Sequence, residues 1–434
     1  MWYRLIVIVV RCTAKLPEQL FICLFAFVVA SCGRIHFEPL EVESQQRIGL
    51  GYAYTCFLRP SGSVMCWGAG LRGHLGYGNT NDIGDDETPA SIGDVPLGAS
   101  LVSFDTGADH TCGRTVGDGV RCWGQGASGR LGYVNVDDIG DDEPASARGD
   151  VDVGGAVVKV ATAGEHSCAL LESGAVRCWG SGAGGRLGYG VVVNIGDDEL
   201  PSTAGDVPLG GTAVDIDARG SHTCARLDSG GVRCWGDAAN GQLGYSNPNN
   251  IGDNEPAGAG GDVDIGGTVV ELSVGANHTC ARLDSGAIRC WGNGADGRLG
   301  YGNVTTIGDD ELPSSAGDVP MGGRAVGIAA GANHTCALLD TGAVRCWGLG
   351  ASGQLGYGNS QSIGDDETPA SAGDVPLGGR AVDIEAGGDH TCALLTTGRI
   401  RCWGAGTNGQ LGYANTLNVG DDETPASVGD VPID

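Results

Sequence analysis

The tripeptide Cys-Trp-Gly begins at Cys66, Cys122, Cys178, Cys234, Cys290, Cys346 and Cys402, always 56 residues apart. Other landmarks keep that period: Leu-Gly-Tyr from Leu75 to Leu411, Gly-Asp-Val from Gly93 to Gly429, and an acidic box from Gly84 to Gly420. Seven such units cover residues 43–434. Repeats of this length belong to stacked or closed architectures, because one unit cannot bury its own apolar faces alone.

Each unit predicts about four short strands. In the third, "AVVKVATA" alternates weakly, "HSCALL" and "AVRCWG" flank a turn, and "GGRLGYG" is punctuated by glycine. No 3.6-residue apolar period interrupts them. The 80 glycines follow no Gly-X-Y rhythm, so they read as numerous tight turns. Distinct polar capping units are missing, which favours a closed ring over an open solenoid. The expectation is an all-β, seven-bladed β-propeller built from seven 56-residue repeats, with about four strands per blade. "GDVPID" ends just before the strand that opens every other unit, and "EVESQQRIGLG" is expected to supply that strand. Both termini would then meet in one blade.

In "HSCALLESGAVRCWG", Glu172-Ser173-Gly174 suit a three-residue hairpin loop with Gly174 in the left-handed region. Leu171 then faces Ala175, and Cys168 falls opposite Cys178. That is a non-hydrogen-bonded pair, with Cα atoms about 4.5 Å apart, at the short edge of the disulfide range of about 4.4–6.8 Å. The register predicts disulfides Cys56–Cys66, Cys112–Cys122, Cys168–Cys178, Cys224–Cys234, Cys280–Cys290, Cys336–Cys346 and Cys392–Cys402. In the second unit Asp118 takes the left-handed position. Two alternatives stay open: reduced thiols packed as small apolar groups, or a metal site that adds His166, on the same strand face as Cys168. Against the metal, the first unit keeps both cysteines with Tyr54 at the histidine position, and the repeat offers no fourth ligand.

Seventeen cysteines are many for a reducing compartment. The N-terminus suggests another: a basic region, the apolar run "LFICLFAFVVA" and the small-residue site "SCG" read as a secretory signal rather than a membrane span. Val29-Ala30-Ser31-Cys32 resembles the bacterial lipobox, whose cysteine is acylated. The expected organisation is a signal peptide of lipoprotein type over 1–31, a short anchor segment over 32–42 and the propeller over 43–434. Cys32 would carry the lipid, and the protein would sit in the cell envelope, anchored to the membrane, or be secreted.

The unit also resembles the repeat of the regulator of chromosome condensation family, as an exported member. Gly331, His334, Gly342, Val344, Trp347, Gly348, Gly353, Gln354, Leu355 and Gly356 match its pattern one by one. Departures are Tyr54 for histidine, Ala163 and Arg219 for the glycine three before His166 and His222, the added cysteines and the long acidic box. The resemblance implies seven blades, structural histidines that bond backbone within each blade, and tryptophans packed between blades. The family includes nuclear nucleotide-exchange factors for a small GTPase and secreted bacterial inhibitors of β-lactamase.

Little in the chain points to catalysis. No lone Ser-His-Asp set, phosphate loop or unrepeated metal cluster stands out, and the expectation is a binding protein without catalytic residues. A net charge of −28 disfavours nucleic acid as partner. Asp85-Asp86-Glu87 and its counterparts could attract Ca²⁺, but the spacing fits no EF-hand, and a solvated acidic loop is the preferred reading. No other cofactor is expected. Variation concentrates in a window before each acidic box: "GNTND", "VNVDD", "GVVVN", "SNPNN", "GNVTT", "GNSQS" and "ANTLN". Variation on a fixed scaffold is where a binding module holds its specificity. The partner is then an unknown protein or cell-surface ligand, met by a monomer held at the membrane by its lipid. Exchange-factor activity, or a role as secreted enzyme inhibitor or adhesin, are the rival readings.

Overall fold

The computed structural model describes residues 47–434. Cys32 and the expected signal and anchor segments lie outside that range.

Seven sheets of three antiparallel strands succeed one another, each made of strands consecutive in sequence. Blade 1 comprises Ile48–Leu50, Tyr54–Leu58 and Val64–Gly68; blade 4 comprises Ala213–Arg219, His222–Leu227 and Val232–Gly236. The first strand of every blade touches the first strands of both neighbours all the way round, so these seven strands line the axis. The seven-bladed propeller expected from the period is the fold.

The expected fourth strand is reduced to a single bridge. Beyond the third strand only one residue returns to pair with its end: Ile83 with Gly68, Ile139 with Gly124, and so on to Val419 with Gly404. A second clasp follows where Val95 N–H donates to the Val64 carbonyl at 2.7 Å, again in all seven blades. Between the clasps the chain carries a box of three acidic residues, two in blade 4, and a proline-led turn, which cannot sustain a ladder. Two point contacts therefore seal each outer edge.

The hairpins follow the expected register. Leu171 N–H donates to Ala175 at 2.8 Å, Gly174 has φ +80°, and Cys168 pairs with Cys178. Asp118 holds φ +61° in blade 2.

Closure differs from expectation. Ile48–Leu50 does take the opening-strand position, but in blade 1 and not in the blade that ends the chain, and among the described residues no sheet joins strands from both ends of the ring. The seam between blades 7 and 1 is joined side by side, by bonds repeated at other junctions. Ala90 N–H donates to Pro432 as Ser314 N–H does to Asp264, and Thr55 meets His390 as Thr335 meets His278. A seven-unit repeat needs no shared strand, because the last junction is made with the same bonds as five of the others, the blade 1–2 junction alone replacing histidine with Tyr54.

Candidate functional site

The cysteines form seven cross-strand disulfides with Cα–Cα distances of 4.0–4.1 Å, and every cysteine in them is fully buried. The histidines turn away from them. His166 Nε2 lies 2.7 Å from Thr223 Oγ1 on the next blade, and His278 Nε2 lies 2.9 Å from Thr335 Oγ1. This corrects the expectation that each histidine bonds backbone within its blade: it rivets two blades together. Thr335 Oγ1 donates its proton to the Arg298 carbonyl, so it must accept from His278, which fixes the Nε2–H tautomer. The tryptophans add a second rivet, as Trp291 Nε1–H donates to the Gln242 carbonyl of the preceding blade. Burial pushes His222, His334 and His390 down to about 3. The glycine three residues upstream makes room for the ring: a Cβ at Gly275 would lie 2.3 Å from His278. In blade 1 the Tyr54 hydroxyl takes over, donating to the His110 carbonyl at 2.8 Å.

The Gly-Asp-Val box is also consumed internally. Its aspartate pairs with an arginine of its own blade's third strand, as in Arg289–Asp318 at 2.8 Å and Arg401–Asp430 at 2.8 Å. Met65 replaces that arginine in blade 1, and Arg59 pairs with Asp94 instead, at 2.9 Å.

The acidic boxes brace neighbouring blades through backbone, Gly78 N–H donating to Gly140 at 3.0 Å. In six boxes one oxygen from each of the three acids falls within 4.8 Å of the others. Burial, then the adjacent aspartates, push Glu143 and Glu423 up to about 7. A triad supplies three carboxylates where Ca²⁺ takes roughly six to eight oxygens, so these residues alone do not make a calcium cage.

Sequence reasoning missed the axis. Arg219 occupies the glycine position that the motif reserves before its histidine, and its guanidinium crosses the channel. It donates to Ala330 at 2.9 Å, to Leu50 at 2.6 Å and to Ala386, carbonyls of blades 6, 1 and 7. Beneath it Lys159 pairs with Asp215 at 2.7 Å, Asp105 accepts from Thr162 N–H at 2.6 Å, and Asp217 accepts from Val274 N–H at 2.7 Å. Burial raises Asp217 and Asp383 to about 6 and Glu385 well above the carboxylate range. Burial opposes the charge on Lys159, but Asp215 and Asp217 outweigh it and the net direction is up. A signal was present: at this inner-strand position the units read Gly49, Asp105, Ala161, Asp217, Ser273, Ala329 and Glu385, while the residue before it is apolar in every unit.

Two surface grooves, of about 250 and 480 Å³, lie at the hairpin ends between blades 1 and 2 and between blades 5 and 6. Neither lining brings a nucleophile beside a base. The opposite, loop-bearing face carries the variable windows, where Val192, Val304 and Leu417 stand exposed.

This arrangement, seven riveted blades of one repeat, defines a class. Residues 119–433 match the RCC1-like domain, and the chain belongs to that family. It is similar to the ultraviolet-B receptor UVR8 of Arabidopsis thaliana, 29% identical over 362 residues, which is 82% of this chain and 76% of the receptor. It is also 30% identical over 345 residues to the E3 ubiquitin-protein ligase HERC2 of Homo sapiens, covering 77% of this chain but only 6% of that protein. Among solved structures, human WBSCR16 superposes with a TM-score of 0.65 at 21% identity, covering 81% of this chain and 87% of that one. Yeast RCC1 (Prp20), solved with Kap60 bound, gives 0.65 at 19%, covering 87% and 83%. These two likenesses concern the fold.

Proposed function

We propose that the chain is an exported, lipid-anchored propeller that binds a protein partner through its loop face and performs no catalysis. One observation carries this reading: the repeated polar groups are used up inside the ring, and what differs between units on the surface is the set of loop-face windows. The six histidines that open the middle strands, six of the seven Cys-Trp-Gly tryptophans and all seven Gly-Asp-Val aspartates have partners within the fold. A symmetric scaffold that spends its constant groups on itself and varies its loops suits recognition. Yeast RCC1, a protein of this fold, has been solved with Kap60 bound to it, which supports a protein as the class of partner. Seven buried disulfides suit an oxidising compartment, and Cys32 is the residue assigned to the anchor.

The test is non-reducing mass spectrometry of native protein from a membrane fraction. Seven Cys-x9-Cys crosslinks and an acylated N-terminal Cys32 support the reading. Free thiols with an intact Met1 overturn it, move the protein to a reducing compartment and favour nucleotide exchange. That rival is checked by release of fluorescent GDP from a small GTPase, which the exported reading expects to be unchanged.

A further inference from the structure

Exposed apolar side chains are unevenly shared among the windows. Those of blades 2 and 3 hold Val134, Val136, Val191, Val192 and Val193, which are 38, 55, 46, 57 and 58% exposed. The windows of blades 1, 4 and 6 are polar, and blades 5 and 7 contribute one exposed residue each, Val304 and Leu417. The two valine windows belong to adjoining structure, since the blade 3 turn at Gly196-Asp197 packs on Gly129 of blade 2. Val134 also sits at φ +63°, where blades 1, 3, 5 and 6 place glycine. A β-branched residue in that region is a true outlier and costs roughly 1–2 kcal/mol. The repeat imposes this φ on every blade, since Ser246 and Ala414 hold +58° and +56° at the same position, so what sets blade 2 apart is the exposed apolar side chain.

The surroundings are acidic. Asp141-Asp142-Glu143 follow the first window and Asp197-Asp198-Glu199 the second. Nearby cations are already engaged: Arg72 with Asp138 at 3.5 Å, Arg148 with Asp137 at 3.7 Å and Arg186 with Glu165 at 2.9 Å. The two triads are left without a cation among the described ion pairs. An apolar strip bordered by unpaired carboxylates is complementary to apolar side chains flanked by lysine or arginine.

We propose that the loop face of blades 2 and 3 is the docking site for a protein partner, and that the partner presents an apolar segment flanked by basic residues. This rests on the binding-module reading and sharpens it to two of the seven blades.

A photo-crosslinking benzoylphenylalanine is placed at Val192, at Ser360 in the blade 6 window, and in turn in each remaining window, in the full chain expressed in its native host. The protein captured at 192 is identified and purified. Its Kd is then measured with three forms of the propeller at 50 and 300 mM salt. These are wild type, a form with Val136, Val191, Val192 and Val193 changed to Ser, and a form with D141N, D142N, D197N and D198N. The expected result is capture from 192 and not from 360, tenfold or greater weakening by the serine form, and several-fold weakening by the asparagine form and by salt. Melting curves check that both forms remain folded. Capture from 360 with equal yield, or a Kd indifferent to the serine substitutions, removes this site and leaves the binding-module reading standing. An acidic partner, or one whose affinity rises with salt, overturns the proposed chemistry. Silence from all seven windows overturns both proposals.

Discussion

The blade junctions and the axis solve the same problem by opposite means. At each junction a polar group near the middle strand meets Thr or Ser of the next blade, a link repeated around the ring with one tyrosine exception. At the axis a single Arg219 serves three blades at once and has no counterpart in any other unit. Repetition makes the junctions interchangeable; closure makes the axis a place where one residue can reach all sides. Damage to a junction should therefore be local and equal wherever it is made, and damage at Arg219 should be felt across the ring.

Acid offers the largest test, because it strikes the two regions with opposite sign. The six histidines are neutral in the fold and held well below 6.5 by burial. The unfolded chain binds their protons first, so their stabilisation is full above about pH 6.5 and falls as pH drops toward 3, by about 1.4 kcal/mol per pH unit for each histidine. Asp217, Asp383 and Glu385 are raised, so the fold holds their protons longer than the unfolded chain does. The contribution of Asp217 and Asp383 improves as pH falls from about 6 toward 4, and that of Glu385 moves in the same direction. The acidic-box glutamates Glu143 and Glu423 are raised as well and act in the same direction as the axis carboxylates. The histidine share is therefore read by difference: the urea-melt stability of wild type minus that of His278→Gln should fall from pH 7 to pH 4. A flat difference would mean that His278 is hydrated.

Next in size is Arg219→Gly, which restores the family motif yet leaves three edge carbonyls without their charged donor. Hydrogen bonds to charged groups contribute about 1.5–3 kcal/mol each, and water entering the channel recovers part, so a net cost of about 3 kcal/mol is expected. Hydrogen exchange should quicken at Leu50, Ala330 and Ala386 together, although they belong to three blades. Loss confined to blade 4 would make Arg219 a local residue.

A disulfide removal should show the contrasting local behaviour. Cys280→Ala with Cys290→Ala opens one short loop and is expected to cost about 2–3 kcal/mol, and the same pair of changes in blade 6, at Cys336 and Cys346, should cost the same within about 0.5 kcal/mol. Denaturant midpoints of the two double variants decide it. Unequal costs would show that the blades, despite near-identical sequences, are not equivalent joints.

The difference between these regions also explains what could be read in advance. The hairpin register at Leu171–Ala175 and the opposition of Cys168 to Cys178 follow from a local loop count, so the sequence specifies them directly. The His278–Thr335 rivet spans 57 residues and joins two blades, beyond the reach of any local loop count. The axis was hardest. Arg219, Asp217 and Glu385 look like scattered departures along the chain, and only sevenfold closure gathers them. The missing fourth strand reflects composition: Asp85-Asp86-Glu87 and Pro89 lie where a ladder would run, and charge and proline override an extended pattern.

The smallest effect belongs to the rim. Asp318→Asn removes the charge opposite Arg289, whose aspartate partner is half exposed, and an exposed pair contributes about 0.2–1 kcal/mol. Arg289 keeps its bond to the Ile265 carbonyl in the variant, so the loss should stay below about 1 kcal/mol and shrink further in high salt. Blade 1 already hints at this tolerance, since it replaces the rim arginine with Met65 and recruits Arg59 from the hairpin. A larger loss, insensitive to salt, would place the rim pairs with the junctions as joints of the ring.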